Sequence, residues 1–318
     1  MTRRKDPSDQ RLDDAARAGW LYYVAGNTQE DIATKLGVSR QTAQRLVSLA
    51  VTEGLVRVRL EHPIAETMDL ADRLGARFGL THVDVAPSDP GSDSTTLGIA
   101  EAVAAEIERR LRSVEPIVMA MGTGRTLKAA VDLLPRIDCP QHRVVSLTGN
   151  LGPDGSAAYY NVIFSMADAI KARHFPFPLP VFASTAAERG LLHRQSLIHD
   201  TLELAARADV TFVGIGELGP NAPLAVDGFL TEAELEALQA AGAIGEIVGW
   251  AFDAEGQLIE GLTNARVASA PIPSRDTCLV VGVAMGARKL PAIRGALRSQ
   301  LINGLITDEA TATALLAD

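Results

Sequence analysis

Residues 116–126 read P-I-V-M-A-M-G-T-G-R-T: an apolar run of strand length over Pro116–Ala120 gives way to a glycine-bracketed turn, and a helical pattern, Leu127–Leu134, follows. A strand with no polar alternation is buried on both faces, as in a parallel sheet covered by helices. The same phrase recurs outward from this point. Arg143–Leu147 runs into Thr148-Gly149-Asn150-Leu151-Gly152, Val181–Ala183 into Ser184-Thr185, and Asp209–Val213 into Gly214-Ile215-Gly216-Glu217. Cys278–Ala284 runs into Met285-Gly286 and a helix carrying Lys289, and Gly304–Ile306 into Thr307-Asp308-Glu309 and a closing helix. Strand and helix alternating from Val83 onward predict an α/β domain. Its Gly/Thr/Ser turns all fall at the carboxyl edge of the strands, where such sheets bind ligands.

The turn at 122–126 carries the most chemistry. Gly122 and Gly124 let backbone N–H groups close around an anion, and the helix that follows adds the positive end of its dipole. Thr123 and Thr126 add hydroxyls, and Arg125 adds charge. The spacing matches neither G-x-x-x-x-G-K nor G-x-G-x-x-G, so it is neither a nucleotide P-loop nor a dinucleotide fingerprint. Lys289, after a second glycine-bearing turn, tilts the reading from an ordinary tight turn toward a phosphate site. An amphipathic helix over 66–80 (Met68, Leu70, Ala71, Leu74, Phe78) precedes the domain as a spacer or interaction helix.

The first 60 residues are different in kind. They hold ten Lys/Arg and seven Asp/Glu, net +3, whereas residues 61–318 hold twenty and thirty-two, net −12. A helix with Ala15, Ala16, Trp20, Leu21, Tyr23 and Val24 at helical spacing ends at Gly26-Asn27. Thr28 caps a second helix in a T-x-x-D pattern close to the capping box, and that helix turns Ile32, Ala33 and Leu36 inward. After Gly37-Val38, Ser39 caps a third helix that buries Ala43, Leu46, Val47 and Ala50. Residues 55–60 then alternate as a short strand. Two capped helices around a glycine turn are a helix-turn-helix. The third helix exposes Arg40, Gln41, Gln44 and Arg45, with Thr42 near its start; Thr28, Gln29 and Ser39 sit at helix starts. Arg and Gln suit base edges, and Ser and Thr suit phosphates. Solvation alone explains a polar face but not the positive charge on an otherwise acidic chain. These residues point to double-stranded DNA as a partner.

Composition narrows the rest. Hydrophobic residues make up 47% of 318 and charged residues 22%, the balance of a globular chain of about two domains. The boundary falls near residue 60, giving domains 1–60 and 61–318. Cys139 and Cys278 are too few for a disulfide framework, and the six histidines show no metal spacing, so neither a metal nor a cofactor is expected. The start M-T-R-R-K lacks the apolar run of a signal peptide, and the longest apolar stretches are strand-sized, so a cytoplasmic protein without membrane contact is expected.

The motif order resembles that of the SorC family (SorC/DeoR type) of sugar-sensing bacterial transcription regulators along nearly the whole chain. It runs S-R-Q-T-A-Q-R-L at 39–46, G-T-G-R-T at 122–126, G-I-G at 214–216, G-F-L-T-E-A-E-L at 228–235 and G-A-I-G-E-I at 242–247. F-D-A-E-G at 252–256, G-V-A-M-G-A-R-K at 282–289 and L-I-T-D-E-A-T-A at 305–312 follow. The resemblance implies a winged helix-turn-helix joined to an effector domain similar to sugar-phosphate isomerases, a homotetramer or dimer of dimers, and a phosphorylated sugar or polyol as signal. It also implies that Gly122, Thr123, Gly124, Arg125, Thr126 and Lys289 hold the phosphate. Asn150, Glu217 beside Gly216, and Asp253 would then meet hydroxyls. The chain departs from the family pattern at Met166-Ala167-Asp168 and Ser274-Arg275-Asp276, stretches expected near the sugar end.

An isomerase-like body also admits an enzyme. Gly214–Pro220 resembles the G-I-G-x-D-G-H loop of glucosamine-phosphate deaminases, but Gly219-Pro220 stands where Gly-His would lie. Glu217 and Asp253 read as hydroxyl acceptors rather than as an acid–base pair. His193 and His199 read as solvated helix positions. Binding without turnover is therefore expected, ahead of a catalyst or a scaffold with a degenerate pocket.

Overall fold

The computed structural model describes residues 7–56, 64–88, 96–152, 154–157 and 160–317. The chain divides into two compact units, Met1–Pro63 and Ile64–Asp318.

In the first unit, α1 (Pro7–Tyr23), α2 (Gln29–Leu36) and α3 (Arg40–Thr52) pack around Ala15, Ala18, Ile32, Ala33, Ala43, Leu46, Val47 and Ala50. The α3 face is the one its sequence predicts. In α1 the inward stripe is Ala15, Ala18 and Leu21, while Trp20, Tyr23 and Val24 stay exposed, contrary to their apolar character. Small residues win there because α1 lies close on α3: a Cβ on Gly19 would stand 2.7 Å from that of Ala50. Gly37 takes a left-handed conformation (φ 66°) at the end of α2, which glycine adopts without the Cβ clash. Of the strand expected over 55–60, only Leu55 and Val56 lie within the described residues.

The second unit opens with α4 (Ala65–Phe78), β1 (His82–Ala86) and α5 (Thr96–Leu111). There follow β2 (Val118–Met121), α6 (Arg125–Asp132), β3 (Arg143–Ser146), α7 (Val162–Ala169), β4 (Arg173–Phe175), α8 (Ala186–His193) and α9 (Ser196–Ala206). Next come β5 (Val210–Gly214), β6 (Gly216–Glu217), α10 (Pro223–Val226), α11 (Glu232–Ala240), β7 (Gly245–Ile247) and β8 (Trp250–Phe252). The chain closes with β9 (Leu279–Val283), α12 (Leu290–Arg298), β10 (Gly304–Asp308) and α13 (Glu309–Leu316). Among the described residues, seven strands form a parallel sheet in the order β1-β10-β9-β5-β2-β3-β4, and β6, β7 and β8 form a small antiparallel sheet.

Alternate residues of each strand feed opposite faces. Met119, Met121, Val144, Phe212, Val281 and Ile306 enter a core with α5, α6 and α7; Ala120, Val145, Val213, Val280 and Leu305 enter another with α12 and α13. α4 belongs to the second core: Leu74 is fully buried and Leu70, Ala71 and Phe78 pack around it, while Met68 faces solvent. It is a covering helix of the sheet, not a spacer.

One expected strand is displaced. Val181–Ala183 lies off the main sheet and bonds to residues 266–268 (Ala183 N–H to Arg266 O and Ala268 N–H to Val181 O, each 2.8 Å). The sheet's edge strand is instead β4. Pro176, Pro178 and Pro180 follow it directly, and without N–H groups they cannot extend a ladder.

Candidate functional site

The topology singles out one place at the carboxyl edge. From β2 the chain steps outward through β3 and β4, then returns to lay β5 on the other side of β2 and continues outward through β9 and β10. The order reverses between β2 and β5, and at such switch points the two outgoing loops splay apart and leave a crevice. The loops here are 122–126 after β2 and 214–217 after β5. They start side by side: Gly122 N–H donates to Phe212 O of β5 at 2.8 Å, and a Cβ on Gly214 would lie 3.5 Å from Thr123 O.

Gly124 ends the turn at φ 132° and no side chain caps α6, so the first-turn N–H groups lack a capping acceptor. Thr126 is half-buried on that first turn. From the neighbouring loop, Lys289 reaches in from a single 3-10 turn, Ala287–Lys289, and its Nζ donates to Ile215 O at 2.8 Å. Burial pushes this ammonium below the usual lysine range; Glu246 and Glu217 pull against that, and Arg125 and Arg288 add to it. Glu217 is buried, its Oε2 accepting from Gly219 N–H at 2.8 Å.

Glu246, on β7 opposite Gly216, is the residue that sequence reading passed over. Its Oε2 accepts from Gly249 N–H at 2.8 Å, and burial pushes its carboxyl up, opposed by Gly249 N–H and by Lys289. The signal was present within G-A-I-G-E-I, but only the hairpin shows that Glu246 faces Lys289. Gly216 makes room for it, since a Cβ there would stand 2.0 Å from Glu246 Oε1.

Asn150, in the loop after β3, donates its N–H to Phe177 O at 3.2 Å. Its side-chain Oδ1 is buried without a protein partner. Asp253 is placed differently: its Oδ1 accepts from Glu255 N–H (3.1 Å) and Gln257 N–H (2.8 Å), closing its own turn beside Gly295 of α12. None of its hydrogen bonds runs to the Lys289 group. The two departures from the family pattern also lie elsewhere. Met166 is core, and Ser274-Arg275-Asp276 precede β9 at the opposite edge of the sheet, because both segments lead into strand starts rather than out of strand ends. His193 is half-buried, with Nε2 2.9 Å from Ala268 O, not solvated. Among the described residues no group of three or more His, Cys, Asp or Glu is placed to hold a metal ion.

In the other unit, Ser39 Oγ caps α3 by accepting from Thr42 N–H at 3.1 Å and lies 2.9 Å from Thr42 Oγ1. Arg40, Gln41, Gln44 and Arg45 are exposed on α3, opposite its buried stripe. Arg40 lies 3.9 Å from Glu30, both well solvated, an ion pair that holds little against a phosphate. Thr28 is spent on its capping box: its N–H and hydroxyl both donate to Asp31 (3.0 and 2.7 Å). Thr28, Gln29 and Arg40 line one hollow with Tyr22, which is exposed.

Comparison with known proteins covers both units. A family model described as "Putative sugar-binding domain" matches residues 62–317, and one described as "Homeodomain-like domain" matches residues 9–59. The chain is 35% identical over 302 residues to the erythritol catabolism regulatory protein EryD of Brucella abortus, covering 95% of this chain and 96% of that one. It is 33% identical to the transcriptional regulator LsrR of an Enterobacter species, with 95% and 92% covered. Its fold is similar to the crystal structure of the full-length sorbitol operon regulator SorC from Klebsiella pneumoniae, with TM-score 0.71, 25% identity, and 96% and 99% of the two chains covered.

Proposed function

The chain belongs to the SorC family of sugar-sensing transcription regulators, and from this we propose that it binds an operator of a carbohydrate or polyol catabolic operon through α3 and releases or holds it according to a small effector at the β2/β5 switch point. The observation that carries the reading is Lys289, held on Ile215 O of the 214–217 turn with Glu246 and Glu217 around it. A half-buried lysine among carboxylates and uncapped N–H groups suits a phosphorylated sugar or polyol: the amides of 122–126 and Lys289 take the phosphate, while Glu246, Glu217 and Asn150 take hydroxyls. The likeness to an erythritol regulator supports a short polyol.

Binding without turnover is the role we assign. Glu217 and Glu246 each spend an oxygen on a backbone N–H, which suits fixed hydrogen-bond acceptors rather than a proton shuttle. Among the described residues no helix is long and apolar enough to cross a membrane. We place the protein with its operator in the cytoplasm, as a homo-oligomer.

The test is a thermal-shift screen of phosphorylated sugars and polyols against their free forms, followed by titration of the best binder into Lys289→Ala. Charge-assisted hydrogen bonds contribute about 1.5–3 kcal/mol, so the constant should weaken by roughly one to two decades with ligand-free operator binding unchanged. Equal binding of free polyol and phosphate, both indifferent to Lys289→Ala, would sink the phosphate reading.

A further inference from the structure

The turn at 122–126 is already occupied by the chain itself. The Thr123 hydroxyl donates to the main-chain oxygen of Tyr160. Arg125 Nε donates to the Tyr160 phenol oxygen at 2.8 Å, with the guanidinium 5.8 Å from the ring centroid. Its Nη2 lies 3.5 Å from Asp227 Oδ1. Tyr160 stands just ahead of α7 and Asp227 just after α10, so one arginine ties the first turn of α6 to two other segments. Arg125 and Thr123 are the side-chain donors an anion at this helix start would recruit. Both are in use, and one of the groups using them is a carboxylate, the closest side-chain equivalent of the anion itself.

We propose that Tyr160 and Asp227 are an internal competitor for the effector's anionic group, holding Thr123 and Arg125 in the ligand-free chain until an anion displaces them. The proposal rests on the anion-site reading above. It assigns Arg125 two alternating partners and makes the strength of the Tyr160–Arg125–Asp227 clasp a determinant of the effector concentration to which the protein responds. The chemistry is a plain exchange: an anion's oxygens replace a phenol oxygen and a carboxylate oxygen on the same N–H groups. Asp227 then returns to solvent, which its position at the end of a four-residue surface helix permits.

Inorganic phosphate is the probe, titrated calorimetrically into the full chain and into Tyr160→Phe, Asp227→Asn and Lys289→Ala. Tyr160→Phe keeps the ring and removes only the phenol, and Asp227→Asn removes the charge. Each should tighten phosphate binding by about three- to tenfold, the worth of one hydrogen bond or partly shielded ion pair. Unchanged or weaker binding in both, with or without a lowered melting midpoint, makes the clasp merely structural and overturns the proposal. Lys289→Ala reports separately on the anion site. If it binds phosphate as the wild type does, the site reading fails; if it weakens binding while the other two variants change nothing, the competitor alone fails. Silence of all four chains toward phosphate counts against both, since removing a competitor must reveal the affinity it masks.

Discussion

The switch-point site depends on a single missing Cβ. Gly216 is the only residue type that lets the Glu246 carboxylate lie against β6, because an added methyl would stand 2.0 Å from Oε1 and 2.8 Å from Cδ. The obstructing atoms are the far end of a flexible side chain, so Gly216→Ala should turn Glu246 out of the site rather than unfold the strand. Effector binding should then fall about as far as in Glu246→Ala, with a melting midpoint within a few degrees of wild type; calorimetry and circular dichroism read the two separately. A large loss of stability with intact effector binding would show that Glu246 is a structural acid. Sequence could name Gly216 and Lys289 but not Glu246's partner, since the spacing between 246 and 289 says nothing about a hairpin folding back over a loop.

At the scale of the element, α3 illustrates two independent contributions from adjacent residues. Ser39 holds the helix start by accepting from Thr42 N–H, and Arg40 and Gln44 leave it toward solvent. Ser39→Ala should cost about 1 kcal/mol of stability in this unit, a shift of roughly 4–8 °C for so small a domain, while leaving operator preference intact. Arg40→Ala with Gln44→Ala should do the reverse: unchanged melting, and loss of discrimination between operator and random DNA in a mobility-shift titration, each base contact being worth ~1–3 kcal/mol. The caps at Thr28 and Ser39 and the buried stripe of α3 were legible because they are local. The face of α1 was not, because close approach to α3 selected alanines over the larger Trp20 and Tyr23.

For the whole molecule, one small reading head per chain recognises few base pairs, and pairing heads on palindromic half-sites multiplies the discrimination. Light scattering at micromolar concentration should therefore return at least twice the chain mass of 33.7 kDa, and an operator with one half-site scrambled should lose most of its affinity. A monomer that still prefers the full palindrome would refute the pairing.

By itself the sequence determined the alternation of apolar strands and helices and the glycine turns that follow most of those strands, because apolar runs, caps and glycine turns act within a few residues of themselves. It also separated a basic head from an acidic body. Tertiary structure decided the rest. Only the strand order places the loops after β2 and β5 side by side and excludes Val181–Ala183 from the sheet. Only packing brings Lys289 to Ile215 and Arg125 to Tyr160 and Asp227. Those contacts join residues tens of positions apart, and their partners are chosen by which backbone happens to be near when the two cores close, a choice that no local pattern records.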